Sequence, residues 1–164
     1  SPVDQLAPNP SRGLTAKETV MPTAQDILAR KGSLIYSIEP TATVLEATNR
    51  MNHHKIGALI VMNDGRMVGI FTERDVLRRV VGSRLDPANV PIFEVMTADL
   101  ITCTPDTDME ELAELMRARR IRHIPVIDDG TLLGLVSIGD VNAHNSQRKD
   151  AELHYLSEYV YGRA

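Results

Sequence analysis

The chain has 164 residues, of which 43% are hydrophobic and 4% aromatic, so it can bury a core of aliphatic side chains rather than stacked rings. Its formal net charge is −4, which argues against nucleic acid as a partner because a polyanion is repelled at long range. One cysteine, Cys103, excludes an internal disulfide and fits a reducing compartment. The longest apolar run, residues 58–62, is too short to span a membrane. We expect a cytoplasmic protein.

An internal repeat organises most of the chain. Displacing the sequence by 65 residues aligns residues 40–77 with residues 105–142 without a gap, and ten of the 38 aligned positions are identical. Residues 1–20 precede the repeat, are proline-rich and lack the pattern of a secretory signal, so we interpret them as an arm or linker. The predicted division is an arm at 1–20, a first repeat at 21–82, a linker at 83–92, a second repeat at 93–146 and a C-terminal helix at 147–164.

Each copy predicts a strand, a helix, a strand, a hairpin, a strand and a second helix, in that order. The first strand is an apolar run, residues 34–38 or 100–103. In the later strands the apolar residues are consecutive, which predicts burial on both faces of a small sheet. Since one such half cannot cover both faces alone, we expect an α/β (α+β) fold in which two β-α-β-β-α repeats pack by pseudo-twofold symmetry, with helices on one face of each sheet.

Local signals support these elements. The first helix of each copy begins with capping-box spacing, at Thr43 with Glu46 and at Asp108 with Glu111. The sequences "NDGR" and "DDGT" join the last two strands, and Asp-Gly between apolar runs is a strong hairpin signal.

The third strand of each copy runs into a shared motif, "GIFTERDV" at 69–76 and "GLVSIGDV" at 134–141. Thr72 with Asp75, and Ser137 with Asp140, have the spacing of a helix N-cap with an acid in the first turn. The same geometry suits a ligand, because a helix N-terminus attracts anions, the preceding glycine permits close approach, and an aspartate can accept bonds from ribose hydroxyls. The two interpretations are compatible.

A basic cluster follows the first helix of the second copy. The sequence "RARRIRH" places Arg117, Arg119, Arg120, Arg122 and His123 at a helix end and a strand start. Arginines at a helix C-terminus are commonly solvated and complement the helix dipole, but guanidinium groups also match phosphate oxygens. Strand alternation predicts that Arg122 and His123 point to opposite faces.

Three segments resemble tandem CBS domains, the pair often called a Bateman module. They are "HKIGALIVMNDGRMVGIFTERDV", "RIRHIPVIDDGTLLGLVSIGDV" and the "VMT" at 95–97 that opens the second copy. The first copy departs from the usual pattern, since Ile60 stands where the second copy has Pro125. The C-terminal segment is similar to that of small stand-alone bacterial proteins of this type.

The resemblance implies a regulatory module that binds adenosine compounds, such as AMP, ADP, ATP, S-adenosylmethionine or NAD, in two clefts between the repeats, with Mg²⁺ accompanying ATP. It implies no catalysis, a flat homodimer, and a regulated partner protein that the sequence does not identify. It favours His123 slightly over Arg122 as the residue facing phosphates. The residues to which it assigns nucleotide contacts are Ile56, Gly57, Ala58, Thr72, Arg74, Asp75, Ile121, Arg122, His123, Pro125, Ser137 and Asp140.

The two predicted clefts are chemically unequal. The first copy has Gly57 where the second has Arg122, so its phosphate contacts would come from Lys55, Arg74 or the other repeat. Arg74 in turn corresponds to Gly139. We therefore expect one cleft to be better occupied, and AMP or ADP to be at least as suitable as ATP.

Weaker signals leave two rival functions. Asp150, His154 and Glu158 have helical spacing for a metal between chains, but a solvent-exposed helix face is the simpler interpretation.

Leu153, Leu156 and Val160 form an apolar stripe that favours pairing with a second chain. The main rival to a nucleotide sensor is thus a structural homodimerisation module with vestigial clefts. An enzyme such as a nucleotide hydrolase lacks a visible base and nucleophile pair.

Overall fold

A computed structural model describes residues 21–32 and 34–145. The predictions for the arm, for the C-terminal helix with its apolar stripe, and for the Asp150, His154 and Glu158 trio lie outside the described residues. Within them, no helix combines the length and the apolar character needed to cross a membrane.

The described residues form a mixed α/β fold, as the repeat predicted. The elements of the first half are α1 (Ala24–Lys31), β1 (Ser37–Ile38), α2 (Val44–His54), β2 (Ala58–Asn63), β3 (Arg66–Thr72) and α3 (Glu73–Asp75), which continues as a π-helix (Val76–Val81). The elements of the second half are α4 (Ile92–Val95), α5 (Met109–Arg119), β4 (His123–Asp128), β5 (Thr131–Ser137) and a final helix, α6, at 138–145.

Two small sheets form the centre. In the first sheet β1 pairs parallel to β2, and β2 pairs antiparallel to β3. In the second sheet β4 pairs antiparallel to β5. Both hairpins have a two-residue turn with positive φ at Asp and Gly, 49° and 76° at Asp64 and Gly65, and 48° and 76° at Asp129 and Gly130, which confirms the hairpin predictions.

The helix starts follow the predicted spacing with one difference. The Thr43 side chain accepts from the Glu46 amide and the Glu46 carboxylate accepts from the Thr43 amide, so the capping box is complete. Asp108 also caps its helix, accepting from the Glu111 amide at 2.8 Å, but its box lacks the reciprocal bond.

The strand predicted at residues 100–103 is wrong. Cys103 alone pairs there, as a parallel bridge to Val126, with its amide donating to the Pro125 carbonyl at 2.9 Å. Leu100 packs instead against the core between the two repeats. The apolar run reflects this contact, and a pattern of apolar residues alone does not distinguish it from a strand.

Each face of the first sheet packs on a different core, which explains the consecutive apolar residues of β2. Leu59 and Val61 face a core shared with α2. Ala58 and Ile60 face the opposite way and join Leu132 and Leu135 of the second repeat in a core between the repeats. The two sheets therefore meet through their inner faces, with helices outside.

The two short helices that open the repeats are exchanged. Helix α1 opens the first repeat in sequence, but Ile27 and Leu28 belong to the core of the second repeat. Helix α4 opens the second repeat, but Ile92 and Val95 belong to the core of the first. The backbone bonds are symmetric: Ala24 donates to the Thr107 carbonyl and Ile92 to the Ala42 carbonyl, both at 2.8 Å.

Candidate functional site

A first cleft of about 440 Å³ lies where the Thr72 motif of the first repeat faces the start of β4 in the second. The lining is contributed by both repeats, with apolar side chains on its walls and arginines around its mouth. Its lining residues are Ile70, Thr72, Glu73, Arg74, Asp75, Leu77, Arg78, Arg79, Thr97, Arg120, Ile121, Arg122 and His123.

In this cleft Asp75 is the buried acidic partner of Thr72, the N-cap of α3, in a complete capping box. Its Oδ2 accepts from the Thr72 amide at 3.0 Å, and the Thr72 Oγ1 accepts from the Asp75 amide at 3.3 Å. Its Oδ1 accepts from the Thr97 Oγ1 at 3.2 Å, with the Arg79 Nε 3.7 Å away. The residue is 6% exposed, so both carboxylate oxygens are held by the protein and the cap interpretation is confirmed.

The start of α3 offers fewer backbone donors than the motif suggested. The Thr72 and Asp75 amides are used within the capping box, and the Glu73 amide donates to the Gly57 carbonyl at 3.1 Å. A bonded amide cannot also hold a phosphate without losing its partner. Any anion in this cleft would therefore be held mainly by side chains.

Those side chains are arginines from both repeats. The Arg74 Nη1 donates to the Arg120 carbonyl at 2.8 Å, so Arg74 crosses the cleft from the first repeat to the second. Arg120 has positive φ, 54°, at the end of α5, which turns the chain towards the cleft. Arg122 follows two residues later and is exposed. All three arginines line this one cleft, and guanidinium groups can bind oxyanions.

The basic surface continues outwards. A second hollow of about 570 Å³ shares Arg74, Arg78, Arg120 and Arg122 with the first cleft and adds Arg117 from α5. Ile138, Val141 and Asn142 of α6 form part of its floor. None of its lining residues is a carboxylate, although the Arg117 Nη1 lies 3.3 Å from the Glu114 Oε2 on the same helix. Five arginines against this one carboxylate keep the hollow basic although the whole chain is acidic.

His123 lies between the clefts and lines both. Burial lowers its pKa from 6.5 to about 4, with the positive charges of Lys31, Arg122 and Arg74 acting in the same direction and Asp140 opposing them. The imidazole is thus neutral near pH 7 and cannot form an ion pair with phosphate. In the first cleft a phosphate would therefore meet His123 as a neutral hydrogen-bond partner and Arg122 as a positive charge.

The second cleft, about 420 Å³, is related to the first by the repeat. Here the start of β2 faces the Ser137 motif. Its lining residues are Lys31, Gly32, Leu34, Ile35, Tyr36, Lys55, Ile56, Gly57, Ala58, His123, Leu135 and Ser137.

A lysine from α1 holds the acidic residue of this second cleft. The Lys31 Nζ lies 2.6 Å from the Asp140 Oδ2 and donates to the Leu135 carbonyl at 2.7 Å. The Ser137 amide donates to the same carboxylate oxygen at 2.8 Å. Burial raises the pKa of Asp140, but the bonds from Lys31 and Ser137 outweigh burial and bring the pKa below its ordinary value.

The two motif glycines make room for packed side chains. A Cβ at Gly69 would lie 2.6 Å from the Met96 Sδ, and a Cβ at Gly134 would lie 2.6 Å from the Leu28 Cδ2. Leu28 lies on α1, and Met96 directly follows α4. The close approach expected of a ligand at these glycines is thus taken by the protein.

The structure brings most of the predicted contact residues to one of the two clefts. Thr72, Arg74, Asp75, Ile121, Arg122 and His123 line the first, and Ile56, Gly57, Ala58, His123 and Ser137 line the second, with Asp140 bonded to Lys31 at its edge. Arg122 and His123 share the first cleft, so the prediction that they point apart is wrong: β4 begins at His123 and strand alternation does not extend to Arg122.

One prediction about contacts is corrected. Pro125 is buried inside β4, pairs with Leu135 and is not among the lining residues of either cleft. Of the basic residues offered as alternatives for the first copy, Lys55 lines the second cleft and Arg74 lines the first. In each cleft the motif of one repeat faces the strand start of the other repeat.

Several cleft residues were missed from the sequence. Arg78 and Arg79 lie one turn after the motif, where helical spacing from Arg74 and Asp75 was an available signal. Lys31 ends α1 and Thr97 follows α4, and neither residue carried a local signal of a cleft contact.

Cys103 is buried, and burial together with Glu111 raises the pKa of its thiol to about 11, which agrees with an inert side chain. Within residues 21–32 and 34–145, no group of three or more potential metal ligands is clustered.

Comparison with known proteins decides the family. The sequence model of the CBS domain matches residues 25–82 and 92–144. The chain belongs to the CBS-domain proteins. It carries two CBS domains in tandem, which is a module that is typically regulatory and binds ligands.

Three relatives illustrate the similarity of this CBS pair. The mitochondrial CBS domain-containing protein CBSX3 of Arabidopsis thaliana is 39% identical over 125 residues, which are 73% of this chain and 61% of that protein, so the match spans less than two thirds of CBSX3. A CBS-domain-containing protein from Agrobacterium tumefaciens is 35% identical with a TM-score of 0.72, covering 75% of this chain and 98% of the other. A hexameric CBS-CP12 protein from bloom-forming cyanobacteria is 31% identical with a TM-score of 0.67, covering 75% and 71%.

Proposed function

We propose that this CBS pair is a non-catalytic regulatory module that binds an adenosine nucleotide, AMP, ADP or ATP, in the first cleft. The observation that carries the proposal is the convergence of Arg74, Arg120 and Arg122 on a cleft with apolar walls. A nucleotide combines a flat base, which suits apolar walls, with phosphates, which suit guanidinium groups. With ATP, Mg²⁺ would accompany the phosphates as part of the ligand.

The first cleft offers separate surfaces for these two parts. Ile70, Leu77 and Ile121 provide apolar surface for the base. The arginines lie at the mouth and in the outer hollow, where the phosphates would point towards solvent. Because Asp75 is already bonded on both oxygens, ribose hydroxyls would have to compete with Thr97 for its Oδ1.

The position of the first cleft between the repeats supports a role in signalling nucleotide binding to another protein. A ligand that contacts Thr72 and Arg74 on one side and Arg122 on the other links the two repeats directly. It can change their relative angle only if it binds one arrangement more tightly than the other. We propose that a regulated protein reads this change.

A second candidate function is structural homodimerisation. Val81 on the π-helix and Phe93 on α4 are 62% and 52% exposed, and neither lines the first cleft. Large apolar side chains with more than half of their surface exposed suit an interface with a second copy of the chain. The hexameric relative supports self-association, and pairing through these residues is compatible with nucleotide binding.

Calorimetric titration of the full chain with AMP, ADP and ATP tests the proposed nucleotide binding. We expect at least one of them to bind, and Arg74→Ala with Arg122→Ala to lower its affinity at least about 100-fold, since each charge-assisted hydrogen bond contributes about 1.5–3 kcal/mol. Arg119→Ala is the matched control, because Arg119 is exposed on α5 and lies outside the lining of both clefts. Absence of binding by all three nucleotides would leave the dimerisation module as the better account.

Light scattering separates that second candidate. Val81→Arg places a charge in the exposed apolar surface and should shift the chain to monomer without changing nucleotide affinity. A mass that is unchanged by this substitution would show that self-association uses another surface.

A further inference from the structure

The acidic residues of the two motifs are held by different partners. The Asp75 Oδ1 accepts from the neutral hydroxyl of Thr97 at 3.2 Å and has the Arg79 Nε only at 3.7 Å, beyond hydrogen-bond distance, whereas the Asp140 Oδ2 accepts from the ammonium of Lys31 at 2.6 Å. Lys31 also donates to the Leu135 carbonyl at 2.7 Å, so its side chain crosses the wall of the second cleft. It lies 109 residues before Asp140 in sequence.

The second cleft keeps a volume of about 420 Å³ with Lys31 in place, so space alone does not exclude a ligand. We propose that Lys31 closes this cleft to nucleotides by occupying Asp140, and so confines nucleotide binding to the first cleft, with one nucleotide per chain. Its ammonium occupies the place from which a ligand hydroxyl or amino group would donate to Asp140. The inference rests on the proposed nucleotide-binding function and adds the residue that selects between two otherwise equivalent sites.

The strength of this contact follows from its surroundings. The Lys31 and Asp140 side chains are 34% and 21% exposed, so water screens the pair only in part. A ligand entering the cleft must break the ion pair and leave Lys31 to find another partner. A neutral ribose hydroxyl replaces an ammonium poorly at a carboxylate, because charge-assisted hydrogen bonds are the stronger ones.

The asymmetry has a clear origin in the exchanged helices. Leu28 packs on Gly134 as Met96 packs on Gly69, so α1 and the segment after α4 are equivalent around the two motifs. Three residues after Leu28 comes Lys31, whereas three residues after Met96 comes Asp99. Helix α1 extends to Lys31, while α4 ends at Val95. The first cleft therefore has no lysine at the corresponding place.

Lysine in the second cleft also acts beyond its own ion pair. Lys31 and His123 both line this cleft, and among the charges that act on His123 Lys31 lowers its pKa the most after burial. Tyr36, Lys55 and Ile56 are also lining residues. With Lys31 in place, this cleft has basic residues but no uncommitted acidic group among its lining residues.

The test is the number of binding sites in calorimetric titrations of the full chain with AMP and with ATP. We expect one site per chain in the native protein and two in Lys31→Ala. Lys31→Arg keeps the charge and should keep one site, and Arg30→Ala removes the neighbouring basic residue of α1 and should also keep one. Circular dichroism melting confirms that each variant is folded.

The outcomes separate this inference from the proposed function. Two sites in the native chain, or one site in Lys31→Ala, would overturn the closure by Lys31 while leaving nucleotide binding intact. Weaker binding in Lys31→Ala would overturn it as well, because Lys31 would then be a ligand contact. If the native chain binds neither nucleotide, the proposed function fails. In that case one site in Lys31→Ala would still support the closure, and none would overturn both.

Discussion

In the first cleft arginines from both repeats surround the mouth and Asp75 is bonded by Thr97, whereas in the second cleft Lys31 holds Asp140 and a glycine stands where Arg122 would be. Around the two motifs the backbones correspond, down to the amide that donates to the carbonyl just before the strand, from Glu73 to Gly57 in one repeat and from Ile138 to Arg122 in the other. Two sites with one backbone thus differ through a few side chains. A symmetric fold supplies two places for a ligand, and substitution at the cleft decides the chemistry of each.

The largest effect expected from this comparison is a pH dependence that only one repeat has. His123 corresponds to Ala58, so one half of the pair carries a buried imidazole with a pKa of about 4 and the other has no titratable group there. Between pH 6.5 and 4 the unfolded chain binds a proton that the folded chain does not, and the free energy of unfolding must therefore fall as the pH is lowered through this window.

The size follows from the shift of the pKa from 6.5 to about 4, which sets an upper limit of about 3 kcal/mol. His123→Gln should abolish this component in urea denaturation followed at pH 7, 6, 5 and 4.5. The depressed pKa of Asp140 acts separately, since its stabilisation is present above the ordinary aspartate pKa of 3.8 and is lost below it. An unchanged pH profile in His123→Gln would contradict the burial of a neutral imidazole.

An intermediate effect should distinguish the two caps. Asp75→Ala removes a buried carboxylate with partners on both oxygens, and we expect a loss of about 2–3 kcal/mol. Asp140→Ala removes a more exposed carboxylate that accepts from the Ser137 amide and Lys31, and its loss should be nearer about 1 kcal/mol, typical of the net contribution of a hydrogen bond. Urea denaturation of both variants at pH 7 measures the difference. Equal losses would mean that the two motifs have the same structural weight despite their different burial.

The smallest effect concerns the outer hollow beside the first cleft. Arg117 lines this hollow but not the cleft itself, so it can reach distal phosphates only. Arg117→Ala should weaken ATP binding about two- to fivefold and leave AMP binding unchanged, as expected for an exposed ionic contact. Arg119→Ala serves again as the control. Equal weakening of ATP and AMP would place the phosphates elsewhere.

Features that depend on neighbours in sequence could be predicted. The two Asp-Gly hairpins and the Thr43 and Thr72 capping boxes need only a few adjacent residues, and each has the expected geometry. The resemblance in the repeated motifs was enough to identify two CBS domains. The inequality of the clefts was expected from Arg74 opposite Gly139, and the charges around the first cleft agree with it.

Features that depend on distant segments could not be predicted. Lys31 reaches Asp140, and Thr97 reaches Asp75, each from the opening segment of the other copy. The sequence did not show which cleft Lys55 and Arg74 each line, because the way in which the repeats face each other is not written in either copy. Pro125 was assigned to a cleft by the family pattern, but its place within β4 buries it.

The exchange of α1 and α4 has a consequence for how such a chain can be divided. A cut at 82–92, where the sequence repeats separate, leaves the first half without Ile92 and Val95 in its core and the second without Ile27 and Leu28. The segment inherited as one copy is therefore not the segment that folds as one body. A continuous piece from 34 to 97 contains the residues of the first core, whereas the second core is completed by helix α1 from the opposite end of the chain. Neither copy can therefore be deleted or transplanted without the helix that opens the other copy.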